Sequence, residues 1–186
     1  YHGWSYNSVK STNNTVKGNQ YVGGNIGGCG SAGENNIVSE NNKIKGNNYV
    51  GGCTGIGDNY YTNLTNLRSK GANQEITGVN HVGGTVGRVV GRAKNLKSED
   101  CLVTATGNYV GGVIGSSEYS TTSISATNNS NYSVAGANAK NVTVNGSMNY
   151  VGGVVGYQVG TLYGAVLQNS LVTAKGSYVG GITGFY

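Results

Sequence analysis

Apolar and polar residues alternate along this chain in short bursts that close on glycine, and the bursts return in phase. A polar-apolar-polar-glycine stretch, as in Thr15-Val16-Lys17-Gly18 or Thr143-Val144-Asn145-Gly146, comes just before each copy of a second element. That element is Tyr-Val-Gly-Gly, two variable residues and a glycine, starting at Tyr21, Tyr49, His81, Tyr109, Tyr150 and Tyr178. Its valines stand at 22, 50, 82, 110, 151 and 179, at intervals of 28, 32, 28, 41 and 28. The alternation has period two and predicts half-buried strands. The base period of 28 residues predicts a solenoid, in which each repeat is one unit stacked on its neighbours.

The expected fold is all-β: a parallel β-solenoid of about six coils forming a single domain over residues 1–186, with loop insertions near 58–71 and 116–139. Three short strands per coil are expected. Glycine after the first burst (Gly18, Gly46, Gly78) is expected to turn the chain with positive φ. Within the second element, alternation places Val22, Gly24 and Ile26 on one face and Tyr21, Gly23 and Asn25 on the other. The inward glycines would leave room for valine and isoleucine of the opposite wall. The asparagine pairs at 13–14, 35–36, 41–42 and 47–48 fit turns or amide ladders. Antiparallel hairpins are the competing arrangement, because glycine turns suit them too.

Tyr150-Val151-Gly152-Gly153-Val154-Val155-Gly156 resembles the GLUG motif, a glycine-rich repeat of bacterial surface and secreted proteins. Six copies in phase carry the resemblance over nearly the whole chain; His81 in place of tyrosine and the Cys53-Thr54 pair depart from the pattern. The resemblance implies adhesin-type or structural repeats at the cell surface or outside the cell, apart from any catalytic domain.

Composition changes this picture little. The chain has 34 glycines, no proline and 10% charged residues among 186, with no collagen period and no long apolar run for membrane insertion. Absence of proline suits strands that all donate to a ladder. The chain opens at Tyr1 without a signal-like segment, which points to a mature product or an excised piece. Tyr186 followed by Tyr1 of another copy would put Val179 and Val22 29 positions apart, within one of the period. Copies stacking head to tail, a segment of a longer array, and a chance match of phase are all open.

Candidate sites follow from the columns. Tyr21, Tyr49, His81, Tyr109, Tyr150 and Tyr178 are expected to stack as an aromatic ladder, either to pin register or to offer a sugar-binding strip. Arg88, Arg92, Lys94 and Lys97 form a basic cluster in a chain of net charge +5, either a solvated edge or a patch for a glycan or an anionic surface polymer. It lacks the aromatic interleaving of single-strand binders, so no specific nucleic acid is expected. The insertions carry Tyr60, Tyr61, Arg68 and Lys70, and Tyr119 and Tyr132, as candidate binding loops.

No catalytic, cofactor or metal site is expected. The two histidines lie apart, and no two of the seven acids share a coil spacing that would pair them. Cys29, Cys53 and Cys101 occupy different columns and read as buried small residues, with a free or intermolecular thiol as the alternative. The expected function is structural or adhesive: a filament subunit, or part of a longer stalk, of a secreted or cell-surface protein. A carbohydrate-binding or carbohydrate-active module on the same scaffold is the alternative.

Overall fold

The computed structural model describes residues 5–30, 33–118 and 134–186, which form 28 short strands and no helix. The strands pair in parallel with the equivalent strands one repeat on, so the chain is a β-solenoid of about six coils, and among the described residues no antiparallel hairpin occurs. Each coil has more sides than the alternation implied. The first runs through Tyr6–Asn7, Lys10–Thr12, Thr15–Lys17, Gln20–Gly23 and Ile26–Cys29, five segments rather than three. They build four walls: three six-stranded sheets, and one ten-stranded sheet to which the second and third segments both belong. In two central coils those segments fuse, as Arg68–Gly78 and Lys97–Ala105.

Left-handed backbone explains the extra corners. Fifteen non-glycine residues among those described have positive φ, and all fall in three columns. One, between the first and second walls, holds Ser8, Asn36, Asn66 and Asn95, continued by Gly136 and Gly164. Another bends the second wall at Asn13, Asn41, Asp100, Asn141 and Asn169, with Gly71 in line. Asparagine tolerates this region, because its short amide bonds locally. In the first of these columns the amides also bond coil to coil: Asn36 to Asn7 at 3.3 Å, Asn66 to Asn36 at 3.2 Å and Asn95 to Asn66 at 3.1 Å. The third column is the tyrosine ladder itself, Tyr21 to Tyr178, with φ of 52–65°. The left-handed backbone at each aromatic residue breaks the expected alternation, and the seven-residue element folds as an arc joining the third and fourth walls.

The glycines serve close approach more than turning. Gly18, Gly46 and Gly78 do not have positive φ; a Cβ there would meet a Cγ2 of the motif valine, at 2.9 Å from Val22 for Gly18. The first motif glycine lies against the carbonyl three residues on in its own coil, with a would-be Cβ 2.0 Å from Ile26 O at Gly23 and 1.9 Å from Val86 O at Gly83. The second lies under the backbone of the coil above, as Gly84 does under Gly112 O. The third abuts the aromatic residue of the coil below, as Gly87 abuts Tyr49. Backbone atoms fill the space beside the first and third motif glycines, whereas the second, as expected of the inward glycines, also meets side chains of the facing second wall, as Gly24 does Ser39 Oγ and Ile44 Cδ1.

Ile44, Ile76, Val103 and Val144 stack inside the second wall, facing Val50, Val82, Val110 and Val151 of the third, all 0–2% exposed. A polar string runs beside them in the lower coils. Asn42 Nδ2 donates to Ser11 Oγ and Ser39 Oγ at 2.9 and 2.8 Å; Gln74 Nε2 donates to Ser39 Oγ and Ser69 Oγ at 3.0 and 2.9 Å. Gln74 Oε1 accepts from the Asn42 amide at 2.6 Å, so these buried polar groups have partners. Higher up, the serine column passes through Ser98 to Ala139 and Leu167, and this column turns apolar.

The insertion expected near 58–71 is divided. Gly57 to Asn63 spans six positions where Cys29 to Gly33 spans four, and the rest is a bulge between Lys70 and Gln74. In the second insertion, Ser117 to Val134 spans 17 positions where Val89 to Ala93 spans four. Glu118 and Val134 still pair in register with the coil above, so the coil closes around the insertion. Tyr119 and Tyr132 lie outside the described residues.

Candidate functional site

The six motif rings stack in sequence, with centroids 5.3, 4.8, 4.6, 5.1 and 5.0 Å apart from Tyr21 to Tyr178 and interplanar angles of 7–24°. Each neighbouring pair contributes about 0.5–1.5 kcal/mol beyond burial. A tyrosine held in the left-handed region costs about 1–2 kcal/mol. Stacking therefore roughly offsets backbone strain, and the hydrogen bonds that continue between coils past the left-handed residue decide the balance. Val82, Val110 and Val151 each donate to the carbonyl of the aromatic residue above at 3.0 Å. Because the rings lie on one another, the inner ones present edges and hydroxyls outward. Only the lower face of Tyr21 and the upper face of Tyr178 lack a neighbouring ladder ring.

A second column flanks the ladder. The residue six positions after each motif valine is Gly28, Ile56, Arg88, Ser116, Tyr157 and Phe185, and these pair in register along the fourth wall. In the upper coils this column is aromatic: Tyr157 meets Tyr109 and Tyr150 edge-on at 5.3 and 5.7 Å and stacks on Phe185 at 5.5 Å. In the middle it is polar. Arg88 lies over the Tyr49 ring at 5.7 Å and pairs with Glu118 at 2.6 Å, and the Ser116 hydroxyl hydrogen-bonds His81 Nδ1 at 2.7 Å. Tyr49, His81, Arg88, Tyr109, Glu118 and Tyr157 thus line a groove of about 460 Å³. Sequence reasoning found its ladder half. Glu118 and Tyr157 were missed, although the fixed offset from the motif valine marks the column of Tyr157.

Burial holds His81 mostly neutral: its pKa falls from 6.5 to about 4, with Arg88 adding to the fall and Glu118 opposing it. A depressed histidine favours folding above pH 6.5 and loses that contribution as pH drops through 4. His81→Tyr restores the column residue and removes the titration. The melting temperatures of wild type and variant are expected to diverge as pH is lowered from 7 to 4, the wild type falling further. Parallel curves would assign the acid sensitivity elsewhere.

The basic cluster is not gathered. Arg88 belongs to the fourth wall and is paired, Arg92 and Lys94 flank buried Ala93 on the first wall, and Lys97 starts a strand of the second. The corner at Asn95 separates Lys94 from Lys97. On the second wall the charges instead alternate between coils: Glu40 binds Lys10 and Lys70 at 2.8 and 3.2 Å, and Glu99 binds Arg68.

All three cysteines are buried and unlinked, in keeping with the small-residue reading. Burial raises all three thiols, that of Cys101 to about 12, which leaves them protonated and unreactive. Glu34 is the unexpected interior group. It stands in the column of Leu64 and Ala93, 1% exposed, accepting a hydrogen bond from the Thr54 hydroxyl, while its Oε1 has no partner. Burial raises its pKa above the ordinary 4.5, against the lowering effect of Thr54 and Cys29. A raised carboxyl disfavours folding increasingly as pH climbs past 4.5. Glu34→Gln is therefore expected to raise the melting temperature at pH 7 and to leave it unchanged at pH 3. An equal effect at both pH values would mean that the charge is not its cause.

Among the described residues no group of histidine, cysteine and acidic side chains is placed to hold a metal, and no helix is long and apolar enough to cross a membrane. No family model matches the chain, and neither do curated proteins or solved structures.

Proposed function

We propose that this chain is a structural repeat domain of GLUG type from a secreted or cell-surface bacterial protein, and that its coils stack head to tail with further coils of the same kind in an extracellular filament or stalk. The observation that carries this reading is what happens to the columns at the last coil. Val151 is fully buried, whereas Val179, one coil higher in the same column, is 49% exposed. Leu171, Ile182 and Phe185 are likewise exposed around that rim. An open strand edge that ends on exposed apolar side chains is completed by a further coil, whether of the same chain or of another. The reading assigns no catalytic step and no cofactor.

Sedimentation and electron microscopy of the purified chain provide the test. Mass that grows with concentration is expected, together with unbranched threads whose axial repeat per copy is about 29 Å for six coils at 4.8 Å. Single-chain particles at every concentration would refute stacking by this chain.

The groove beside His81 favours a second reading, a glycan or anionic-polymer site. Its aromatic edges, Arg88 and Glu118 supply donors and acceptors, although the inner ring faces are occupied by neighbouring rings. Calorimetric titration with neutral and acidic glycans, on wild type and Arg88→Ala, would reveal such a site as heat lost in the variant.

A further inference from the structure

The column that flanks the ladder loses its rings partway down. From the top it reads Phe185, Tyr157, Ser116 and Arg88. Phe185 stacks on one face of Tyr157 at 5.5 Å, with an interplanar angle of 8°. The opposite face looks down the column toward Ser116, and among the described residues no ring stacks on it. Two coils separate Tyr157 from Arg88, about 9.6 Å. In the ladder alongside, the two-coil span from Tyr49 to Tyr109 holds one ring, His81, at 4.8 and 4.6 Å from its neighbours. Ser116 is fully buried and its hydroxyl is hydrogen-bonded to His81 Nδ1, so it puts nothing into the equivalent span. The groove lies there, lined by Tyr157 above and Arg88 below, with the ladder edges behind and Glu118 in front. It is a place where the column has room for a ring and the sequence supplies none. All of its residues lie in inner coils, with a further coil of this chain above and below.

The polar groups around that space carry no net charge. Arg88 and Glu118 neutralise each other at 2.6 Å, and burial keeps His81 uncharged. Both members of the ion pair keep capacity for a ligand. Arg88 Nη2 donates to Glu118 Oε2, and among the described residues Glu118 Oε1 has no partner. Arg88 Nε is buried and unbonded. A carboxylate beside a guanidinium suits a hydroxyl, which donates to one and accepts from the other. An anionic group would reach Arg88 only by facing Glu118, and like charges repel. A plain aromatic ring would leave the polar groups unpaired. A ring with an apolar face and a hydroxylated rim meets both demands.

We infer that the groove binds one uncharged pyranose unit of a glycan, its C–H face against Tyr157 and its hydroxyls on Arg88 and Glu118. The inference rests on the second reading of the groove and narrows it to neutral sugars.

Saturation-transfer NMR and calorimetric titration test it on the whole chain, with methyl glucoside, methyl galactoside and methyl N-acetylglucosaminide as probes and methyl glucuronide as the acidic counterpart. At least one neutral glycoside is expected to bind the wild type more tightly than the glucuronide. Ser116→Phe continues the ring column of Tyr157 and Phe185, and should lower that affinity by about tenfold or more. Glu118→Gln serves even if Ser116→Phe does not fold. It keeps the shape of the groove and gives it a net positive charge, so preference should move toward the glucuronide by about tenfold. A wild type that prefers the glucuronide, or a preference that Glu118→Gln leaves unchanged, overturns the inference and keeps a glycan site of another kind. Full affinity in a folded Ser116→Phe puts the sugar elsewhere and overturns it too. If no probe binds, the inference and the glycan reading of the groove fail together.

Discussion

Gly111→Ala is expected to lower stability by more than about 4 kcal/mol and the melting temperature by more than about 8 °C. A Cβ at Gly111 would lie 1.9 Å from the carbonyl oxygen of Ile114 and 2.8 Å from that of Val154 in the coil above. Both obstacles are backbone, and both belong to the inter-coil ladder, so neither can swing aside as a side chain would. The third and fourth walls would have to part, and the damage would spread to both neighbouring coils. Gly30→Ala is the control: a Cβ there has open space, so no loss is expected. Thermal melts followed by circular dichroism check the pair. A loss below about 1 kcal/mol at Gly111 would mean that the arc is looser than the contacts imply.

Tyr109 gives the second large effect, with a sign that separates backbone from side chain. Its ring stacks on His81 at 4.6 Å and on Tyr150 at 5.1 Å and meets the edge of Tyr157 at 5.3 Å, while its φ is 65°. Tyr109→Ala removes the ring contacts and keeps a Cβ in the left-handed region, for an expected loss of about 2–4 kcal/mol. Tyr109→Gly removes the same ring and relieves the backbone, so it should be the milder change by about 1 kcal/mol. Denaturant melts of the two variants decide it. An alanine variant as stable as the glycine variant would show that the left-handed backbone carries no strain.

The repeat was legible because its columns are spelled in valine. Val22, Val50, Val82 and their successors are separated by the period of 28, lengthened only where the two insertions fall, and the parallel stack follows from them. The asparagine corners were legible for a similar reason, since few other residues accept their backbone. Two features were hidden. Tyrosine is a poor left-handed residue, so nothing in its identity announces the left-handed backbone at the start of the third wall. Glycine has two uses, and identity does not tell them apart: Gly18 and Gly46 read as turn residues and instead make room for the Val22 methyl. The basic cluster was contiguous in sequence only; corners between strands sent its members to three walls. Glu34 was passed over as one of seven scattered acids; Glu34, Leu64 and Ala93 stand 30 and 29 residues apart, off the period of 28, which hid the inward column they share.

The parallel pairing of equivalent strands also fixes how the domain carries load. Bonds between coils point along the stack, so tension applied at the two ends of the chain meets them one coil at a time. Rupture would begin at an end coil and peel inward, each 28-residue coil releasing roughly 95 Å of extended chain. Shear across the stack would instead strain all four walls of a coil together and meet far greater resistance. A fibre of such coils would yield in regular steps under tension, absorbing work at each step.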